Sequence, residues 1–313
     1  MTDPAPPVRM LARSIAEMLQ ASRVARGRPH GGDNVAGLIF DTLLSANLAH
    51  LPYGSPEARR MATPGGAEAK RELMRPISAH AVAQSLALPY ETVRTRIRRM
   101  LDAGYCEQVD GGVIAIAGAL LDPPFQRMAE ETRDVAVQAL RDLAILGFDF
   151  EGMATAFGYR IELAEQSAPA ALAARIIIDL QIRYLEDVGI FGGVIRASVW
   201  SAVMCANVRR MSRIPELAWR YSTQACPPPD VLRDPISVRA LAAEVGLPFE
   251  TTRRHVAALV EKGWLVVAAG GGLIAPAEVM SEDALGRGNN QLGLLYAKLI
   301  ADLSRAGIDF AAL

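Results

Sequence analysis

Little in this sequence invites catalysis. Its three cysteines, Cys106, Cys205 and Cys226, stand too far apart for a metal or redox motif, and their odd number argues against a disulfide framework. The four histidines, His30, His50, His80 and His255, are scattered. No nucleophile–base arrangement, phosphate-cradling glycine loop or metal-ligand spacing occurs. The expectation is a protein that is not an enzyme and that holds no metal or resident cofactor. No apolar run reaches the length of a membrane span and no secretory pattern opens the chain, so a cytoplasmic protein with reduced thiols and no membrane partner is expected. Lysine is nearly missing too: of 33 basic residues only Lys70, Lys262 and Lys298 are lysine, and the rest are arginine, which supplies a rigid donor fork suited to phosphates and guanine edges. The formal net charge of −1 excludes a global pull toward nucleic acid, so any such face must be local.

What is present is apolar material, 51% of 313 residues, enough for two or more domains. The most organised stretch is Pro76 to Ile116. Ser78 is a good N-cap for a short helix whose apolar side is Ala79, Val82, Ala83 and Leu86. Leu88-Pro89 makes a turn, because proline disfavours helical geometry in the residue before it and opens the helix after it. In that second helix Val93, Ile97, Met100 and Leu101 recur at helical spacing and are expected to face inward, leaving Arg94, Thr95 and Arg98 outside. Gly104 stops it, and Tyr105 to Val109 and Val113 to Ile116 read as strands around Asp110-Gly111-Gly112. Helix, turn, basic helix and hairpin in this order predict a winged helix-turn-helix.

The pattern returns at Pro235 to Pro276. Pro-Ile-Ser recurs at Pro235-Ile236-Ser237, and Leu88-Pro89-Tyr90-Glu91-Thr92 is answered by Leu247-Pro248-Phe249-Glu250-Thr251. Gly263-Trp264 matches Gly104-Tyr105, and Gly270-Gly271-Gly272 matches the first hairpin turn. The likeness extends to the flanks. Ala46-Asn47-Leu48 lies near the end of one apolar helix (Val35 to Leu51) and Ala206-Asn207-Val208 near the end of another (Val194 to Met211). Leu140 to Phe150 shares Asp, Leu, Gly, Asp and Phe with Ile300 to Phe310.

The expected fold is therefore mainly α with small β-hairpin wings: two tandem winged helix-turn-helix domains whose flanking helices form a pseudo-twofold helical body. Residues 1–34 are expected to be a flexible arm with a short helix over Met10 to Val24. Residues 35–150 form the first repeat, 151–190 a helical connector and 191–313 the second repeat. Within this plan ARGRPHGGDN (residues 25–34) reads as a basic arm touching DNA or a plain linker, and PYGSPEARRMATPGG as a loop. Glu68 to Met74 adds a helical turn or two. Pro123-Pro124 breaks the chain before a helix over Met128 to Leu146. Helical patterns at Glu162 to Glu165 and Ala171 to Asp187 flank a turn at Gln166-Ser167-Ala168-Pro169, and Gly189 precedes the next helix. SRIPELAWRYSTQACPPPD reads as a long loop or broken helix and SEDALGRGNN as turn-rich, before a last helix from Gln291 to Ala306.

In helix-turn-helix geometry the N-terminal part of the second helix enters the major groove. That presents Tyr90, Glu91, Arg94, Thr95 and Arg98, with Arg94 the leading candidate for a base edge and Arg98 next. Arg96 and Arg99 point sideways and suit phosphates. The wing tip has no lysine or arginine for a minor groove. The second copy offers Phe249, Glu250, Arg253 and Arg254, with Ala257 and Ala258 in place of Arg98 and Arg99. Its basic and acidic residues balance, which suits a structural or protein-facing role as well as DNA. Cys106 reads as a small buried hydrophobe and His255 as a structural histidine.

On Ser78 and its alanine-rich helix, the Leu88-Pro89-x-Glu91-Thr92-Val93-Arg94 entry and Gly104-Tyr105, each unit resembles the DNA-binding domains of bacterial winged-helix transcriptional regulators of the MarR, GntR and IclR kind. The resemblance covers some forty residues per copy. It implies operator reading by the second helix, through Arg94 and Thr95 and through Arg253 and Arg254. The chain departs from these families in lacking a separate effector domain and in carrying two units in one polypeptide. The expected function is a sequence-specific regulator binding double-stranded DNA, as a monomer with internal pseudo-symmetry or as a homodimer. An unidentified small effector between the flanking helices is compatible with this. The competing reading is a winged-helix scaffold for protein contacts.

Overall fold

Sixteen helices and four short strands follow one another along the residues that the computed structural model describes, 6–63, 65–164, 169–187, 191–280 and 283–313. The fold is mainly α-helical with two small antiparallel hairpins. The first half runs α1 (Val8–Ala21), α2 (Arg23–Gly27), α3 (Asn34–Leu48), α4 (Pro56–Ala62), α5 (Ala67–Glu72), α6 (Ala79–Ser85), α7 (Tyr90–Asp102), β1 (Cys106–Val109), β2 (Gly112–Ala115), α8 (Pro123–Ile145) and α9 (Phe150–Ala156). The second runs α10 (Ala170–Asp187), α11 (Val194–Val208), α12 (Pro215–Arg220), α13 (Val238–Val245), α14 (Phe249–Glu261), β3 (Val266–Val267), β4 (Leu273–Ile274), α15 (Ala277–Met280) and α16 (Asp283–Arg305).

Several segments differ from the sequence expectation. The ARGRPHGGDN stretch is neither arm nor linker: α2 and a 3-10 turn over Arg28–His30 order it, and Arg26 is buried against Asp41. The expected loop after Leu51 contains α4, because Ser55 Oγ accepts from Ala58 N at 3.1 Å and Pro56 takes the first helical position, where its missing N–H costs nothing. For the same reason Pro123 begins α8 instead of breaking the chain ahead of it. The 151–190 region opens with α9, and Glu162 lies in non-helical backbone whose N–H donates to Ser304 Oγ at 3.0 Å. Asp283 to Asn290 belong to α16 and not to a turn. Glu165, Gln166-Ser167-Ala168, Gly189 and Ser281-Glu282 lie outside the described residues.

Two compact units divide the chain, and neither is continuous in sequence. One gathers Met1–Gln20, Ala139–Tyr159 and Tyr184–Lys298, and the other Ala21–Gln138, Arg160–Arg183 and Leu299–Leu313. They are named here by the asparagine at the centre of each, Asn207 and Asn47. The flanks are exchanged: α1 belongs to the Asn207 unit and α10 to the Asn47 unit. These two helices correspond, since Arg13–Glu17 in α1 and Arg175–Asp179 in α10 are i,i+4 ion pairs at 3.7 and 3.8 Å.

In the Asn47 unit α3 is the axis. Ile39, Phe40 and Leu43 are fully buried, and the helix packs on α6, α7 and β2. Phe40, Tyr105 and Phe125 form an aromatic cluster with centroids 5.0 Å apart from Phe125 to each of the others. In the Asn207 unit α11 packs on α13, α14 and β4, and Phe191 stacks on Trp200 at 4.4 Å and meets Trp264 edge-on at 4.9 Å. There, too, Ser14 and Tyr296 share a buried hydroxyl bond of 2.9 Å.

The same asparagine clamp ties hairpin to axis in each unit. Asn47 Nδ2 donates to Arg75 O at 2.6 Å and Val113 O at 3.1 Å, while Ala115 N donates to its Oδ1 at 2.9 Å. Asn207 repeats the set with Asp234 O at 2.8 Å, Leu273 O at 3.0 Å and Ala275 N at 2.9 Å. Each hairpin is closed by a third short segment, Ile77 bridging to Val113 and Ile236 to Leu273. Gly112 makes the first bridge possible: at φ 147° it lies so close to Ile77 that a Cβ would fall 2.4 Å from the Ile77 carbonyl oxygen.

One turn differs between the copies. Between α6 and α7 the left-handed position is Ala87, φ 47°, while its counterpart between α13 and α14 is Gly246, φ 59°. A Cβ in this region costs about 1–2 kcal/mol and glycine's extra unfolded-state freedom offsets part of the relief. Ala87→Gly is expected to stabilise the chain by about 0.5–1 kcal/mol in urea unfolding. A loss of stability would mean that the methyl group makes a contact outweighing the strain.

Candidate nucleic-acid interface

The candidate face is built by α6 and α7. Ser78 Oγ caps α6 by accepting from Ala81 N at 3.1 Å, as Ser237 Oγ caps α13 from Ala240 N at 3.2 Å. Pro89 sits at the N-cap of α7, and its carbonyl accepts from Thr92 N and Val93 N. Val93, Ile97 and Met100 are buried against α3 and α6, as the spacing predicts. Leu101, expected to join them, is only half-buried, because it lies at the shoulder of that face.

The opposite face is polar and open. Tyr90, Glu91, Thr95, Arg98 and Arg99 are exposed, and the Tyr90 ring lies 6.1 Å from that of His80 on α6. The four arginines of α7 have different surroundings. Arg94 is folded back on Glu91 through contacts of 2.6 to 3.0 Å, an exposed i,i+3 pair. The hydrogen bond from Arg94 holds the Glu91 carboxyl below the usual range and raises the Arg94 guanidinium in return. Such a pair adds little to stability and is readily exchanged for another anion. Arg96 is half-buried and tied to the first turn of α3. Its Nε donates to Asp33 Oδ2 at 3.0 Å, while Asp33 Oδ1 caps α3 through Val35 N and Ala36 N. Arg98 and Arg99 make no hydrogen bond or ion pair among the described residues, so they can take up an outside anion without releasing a partner.

The adjoining hairpin brings acid. Glu107 pairs with Arg71 at 2.6 Å, and Gln108 Nε2 closes the turn on Gly112 O at 2.8 Å, next to exposed Asp110. The cationic face is thus confined to the helix. Burial pushes the Cys106 thiol on β1 up to about 12, in keeping with a packing role.

In the second copy Phe249, Glu250, Arg253 and Arg254 are exposed at the start of α14, and Arg253 Nε lies 2.9 Å from Glu250 Oε2. Ala257 and Ala258 leave the rest of that face uncharged, and His255 is half-buried and driven down by burial and by Arg196 and Arg254. Val266 and Val267 on its hairpin are solvent-facing.

The chain matches no protein-family model, no curated protein and no solved structure.

Every residue expected from sequence to meet DNA thus lies on α7 or α14, with Arg99 in the last turn of α7. Sequence reasoning missed the attachment of Arg96 to Asp33, across 63 positions, and the asparagine clamps, whose only signal was an Asn repeated in both flanking helices. Among the described residues no three His, Cys, Asp or Glu side chains gather as metal ligands, and no helix is long and apolar enough to cross a membrane.

Proposed function

We propose that this chain is a sequence-specific DNA-binding transcriptional regulator, a tandem of winged helix-turn-helix domains that reads the major groove with α7. The observation that carries this reading is the division of α7 into two faces: one buries Val93, Ile97 and Met100, and the other presents Tyr90, Thr95, Arg98 and Arg99 to solvent. A capped helix and a turn of fixed geometry precede it, and a clamped hairpin follows. In such a frame the first turns of the second helix meet base edges and flanking cations meet phosphates. Arg94 would leave Glu91 to reach a base, and Glu91 would then be free to accept from cytosine.

The second copy favours a different role. α14 carries alanines where α7 carries Arg98 and Arg99, and its hairpin exposes Val266 and Val267. A protein-facing surface is the reading these residues support, within the same regulator.

Selection from a random duplex library is the test. Wild type is expected to enrich a defined motif and Arg94→Ala to lose preference at one position of it. Arg98→Ala should weaken binding by about 1–3 kcal/mol, and Arg99→Ala should lower the salt dependence by roughly one phosphate contact. Arg253→Ala should leave affinity within about twofold, since α14 carries alanines where α7 has Arg98 and Arg99 to hold the phosphates. Failure of wild type to enrich any sequence, with Arg98→Ala behaving identically, would sink the DNA reading.

A further inference from the structure

Arg9 and Arg233, in the Asn207 unit, are two buried cations that converge on one short loop. Arg9 is 8% exposed and Arg233 5%. Arg9 Nε donates to Thr223 O at 2.8 Å, and its Nη2 to Gln224 O at 2.9 Å and Met280 O at 2.7 Å. Arg233 approaches from the other side, donating from Nη2 to Pro228 O at 2.9 Å and from Nε to Asp230 Oδ1 at 3.1 Å. Between the two attachments stands Cys226, half-buried, with its own N–H on the Thr223 carbonyl that Arg9 also uses. Arg233 thus has the Asp230 carboxylate, while Arg9 is held by carbonyl oxygens. Burial and the nearby Arg233 charge lower Arg9 to about 10, and Cys226 acts on it in the opposite, favourable sense. Each arginine also keeps one buried nitrogen, Nη1, without a hydrogen-bond partner. Buried donors of this kind are expensive unless something accepts from them.

The duplicated frame does not need this device. Counted from the clamped carbonyls of Arg75 and Asp234, the first copy has Ala67 for Cys226 and Met74 for Arg233, and no prolines where the second has Pro227-Pro228-Pro229. The loop nevertheless leads straight to Asp234, whose carbonyl Asn207 holds, and from there to the Ser237 cap.

We propose that Cys226 is a modification site, a thiol oxidised by hydroperoxides to a sulfenic acid whose oxygen is received by the unpartnered Arg9 nitrogen. Sγ attacks the distal oxygen of the hydroperoxide, forming the S–O bond as the O–O bond breaks. The sulfur gives up two electrons, and the departing oxygen takes them together with the thiol proton, leaving as an alcohol, or as water from hydrogen peroxide. Fixed cations stabilise the negative charge that develops on both oxygens as the bond is exchanged. The new oxygen is an acceptor introduced from within the loop, where Arg9 Nη1 lacks one. This chemistry does not depend on DNA binding and stands or falls separately from it.

The test treats the full chain with hydrogen peroxide, traps sulfenic acid with dimedone and maps the adduct by peptide mass. Cys106 and Cys205, 3% and 1% exposed with thiols raised by burial, are internal controls for the folded state. The adduct is expected on Cys226 alone, forming about tenfold faster in the folded chain than in the chain unfolded in urea, although folding half-buries this thiol. Arg9→Gln should remove most of that advantage while Cys106 and Cys205 stay unlabelled, which reports that the variant is folded. If the controls become labelled, the folded-against-unfolded comparison on wild type decides alone. A Cys226 that reacts no faster when folded, or equally fast in a folded Arg9→Gln chain, would overturn the proposal.

Discussion

Asn47→Ala should cost about 3 kcal/mol of stability and release the first hairpin from the helix beneath it. The side chain is fully buried and makes three bonds to backbone groups of two different segments. Its loss affects these groups unequally. Val113 O still accepts from Ile77 N at 3.2 Å and Arg75 O belongs to an exposed residue that water can reach, but Ala115 N, on a residue 1% exposed, loses the partner described above. The stranded amide costs about 1–3 kcal/mol, and the other lost bonds bring the total toward the upper end. Asn47→Asp should be at least as damaging, because a carboxylate keeps the acceptor for Ala115 N but turns a second oxygen on two carbonyls.

The duplication supplies the control. Asn207→Ala removes the same three bonds in the other unit and should cost a similar amount, and because the two asparagines share no partner the losses should add. Urea unfolding measures the totals, and amide exchange at Ala115 and Ala275 locates each loss. If DNA binding proceeds through α7, Asn47→Ala should weaken it far more than Asn207→Ala. A cost below about 0.5 kcal/mol for Asn47→Ala would show that water or a shifted backbone replaces the amide.

The parts of this fold that were legible in the sequence are those set by neighbours in the chain. Ser78 and Ser237 announced their helices, apolar spacing placed Val93, Ile97 and Met100 inside, and Asp110-Gly111-Gly112 marked the hairpin turn. The solvent face of α7 followed from the same spacing. The Ser55-Pro56 cap was also written in the sequence, but glycines and prolines on both sides outweighed it. Asp283 to Asn290 has poor intrinsic helix preference, and the stronger helix that follows overrides it. What could not be read was which copy each flank joins. Residues 1–34 read as an arm and 151–190 as a connector, with no local signal tying α1 to the Asn207 unit and most of α10 to the Asn47 unit, where the structure has them. The Arg96–Asp33 pair was hidden for a related reason, since neither residue carries a local signal of the other.

The buried pair Arg26–Asp41 gives the second large effect, and its pH dependence identifies the cause. Arg26 Nε lies 2.5 Å from Asp41 Oδ2, both side chains are nearly inaccessible, and Arg26 Nη2 also donates to Gln181 Oε1. Arg26→Met should cost about 3–5 kcal/mol at pH 7.5 by stranding an anion in the core. Burial nevertheless outweighs Arg26 and holds the Asp41 carboxyl up at about 6, with Asp179 adding to the rise. Between the ordinary carboxylate value and pH 6 the folded chain therefore keeps a proton that the unfolded chain has released. That stabilisation is complete below about pH 4 and lost as pH rises through 6. By pH 5 Asp41 is protonated in the variant as well, and the cost of Arg26→Met should fall by at least half. His30, lowered by burial to about 4, works in the opposite sense, so each variant must be compared with wild type at the same pH. Asp41→Asn should also be costly at pH 7.5, because it leaves the buried Arg26 cation with neutral acceptors only. The Asn207 unit has Ser201 at the matching position, its hydroxyl 3.3 Å from that of Tyr184, so the shared frame does not require an ion pair. Arg26→Met with Asp41→Leu should accordingly recover most of the loss. If the cost of Arg26→Met were the same at pH 5 and pH 7.5, lost packing of the arginine stem, and not an uncompensated carboxylate, would be its origin.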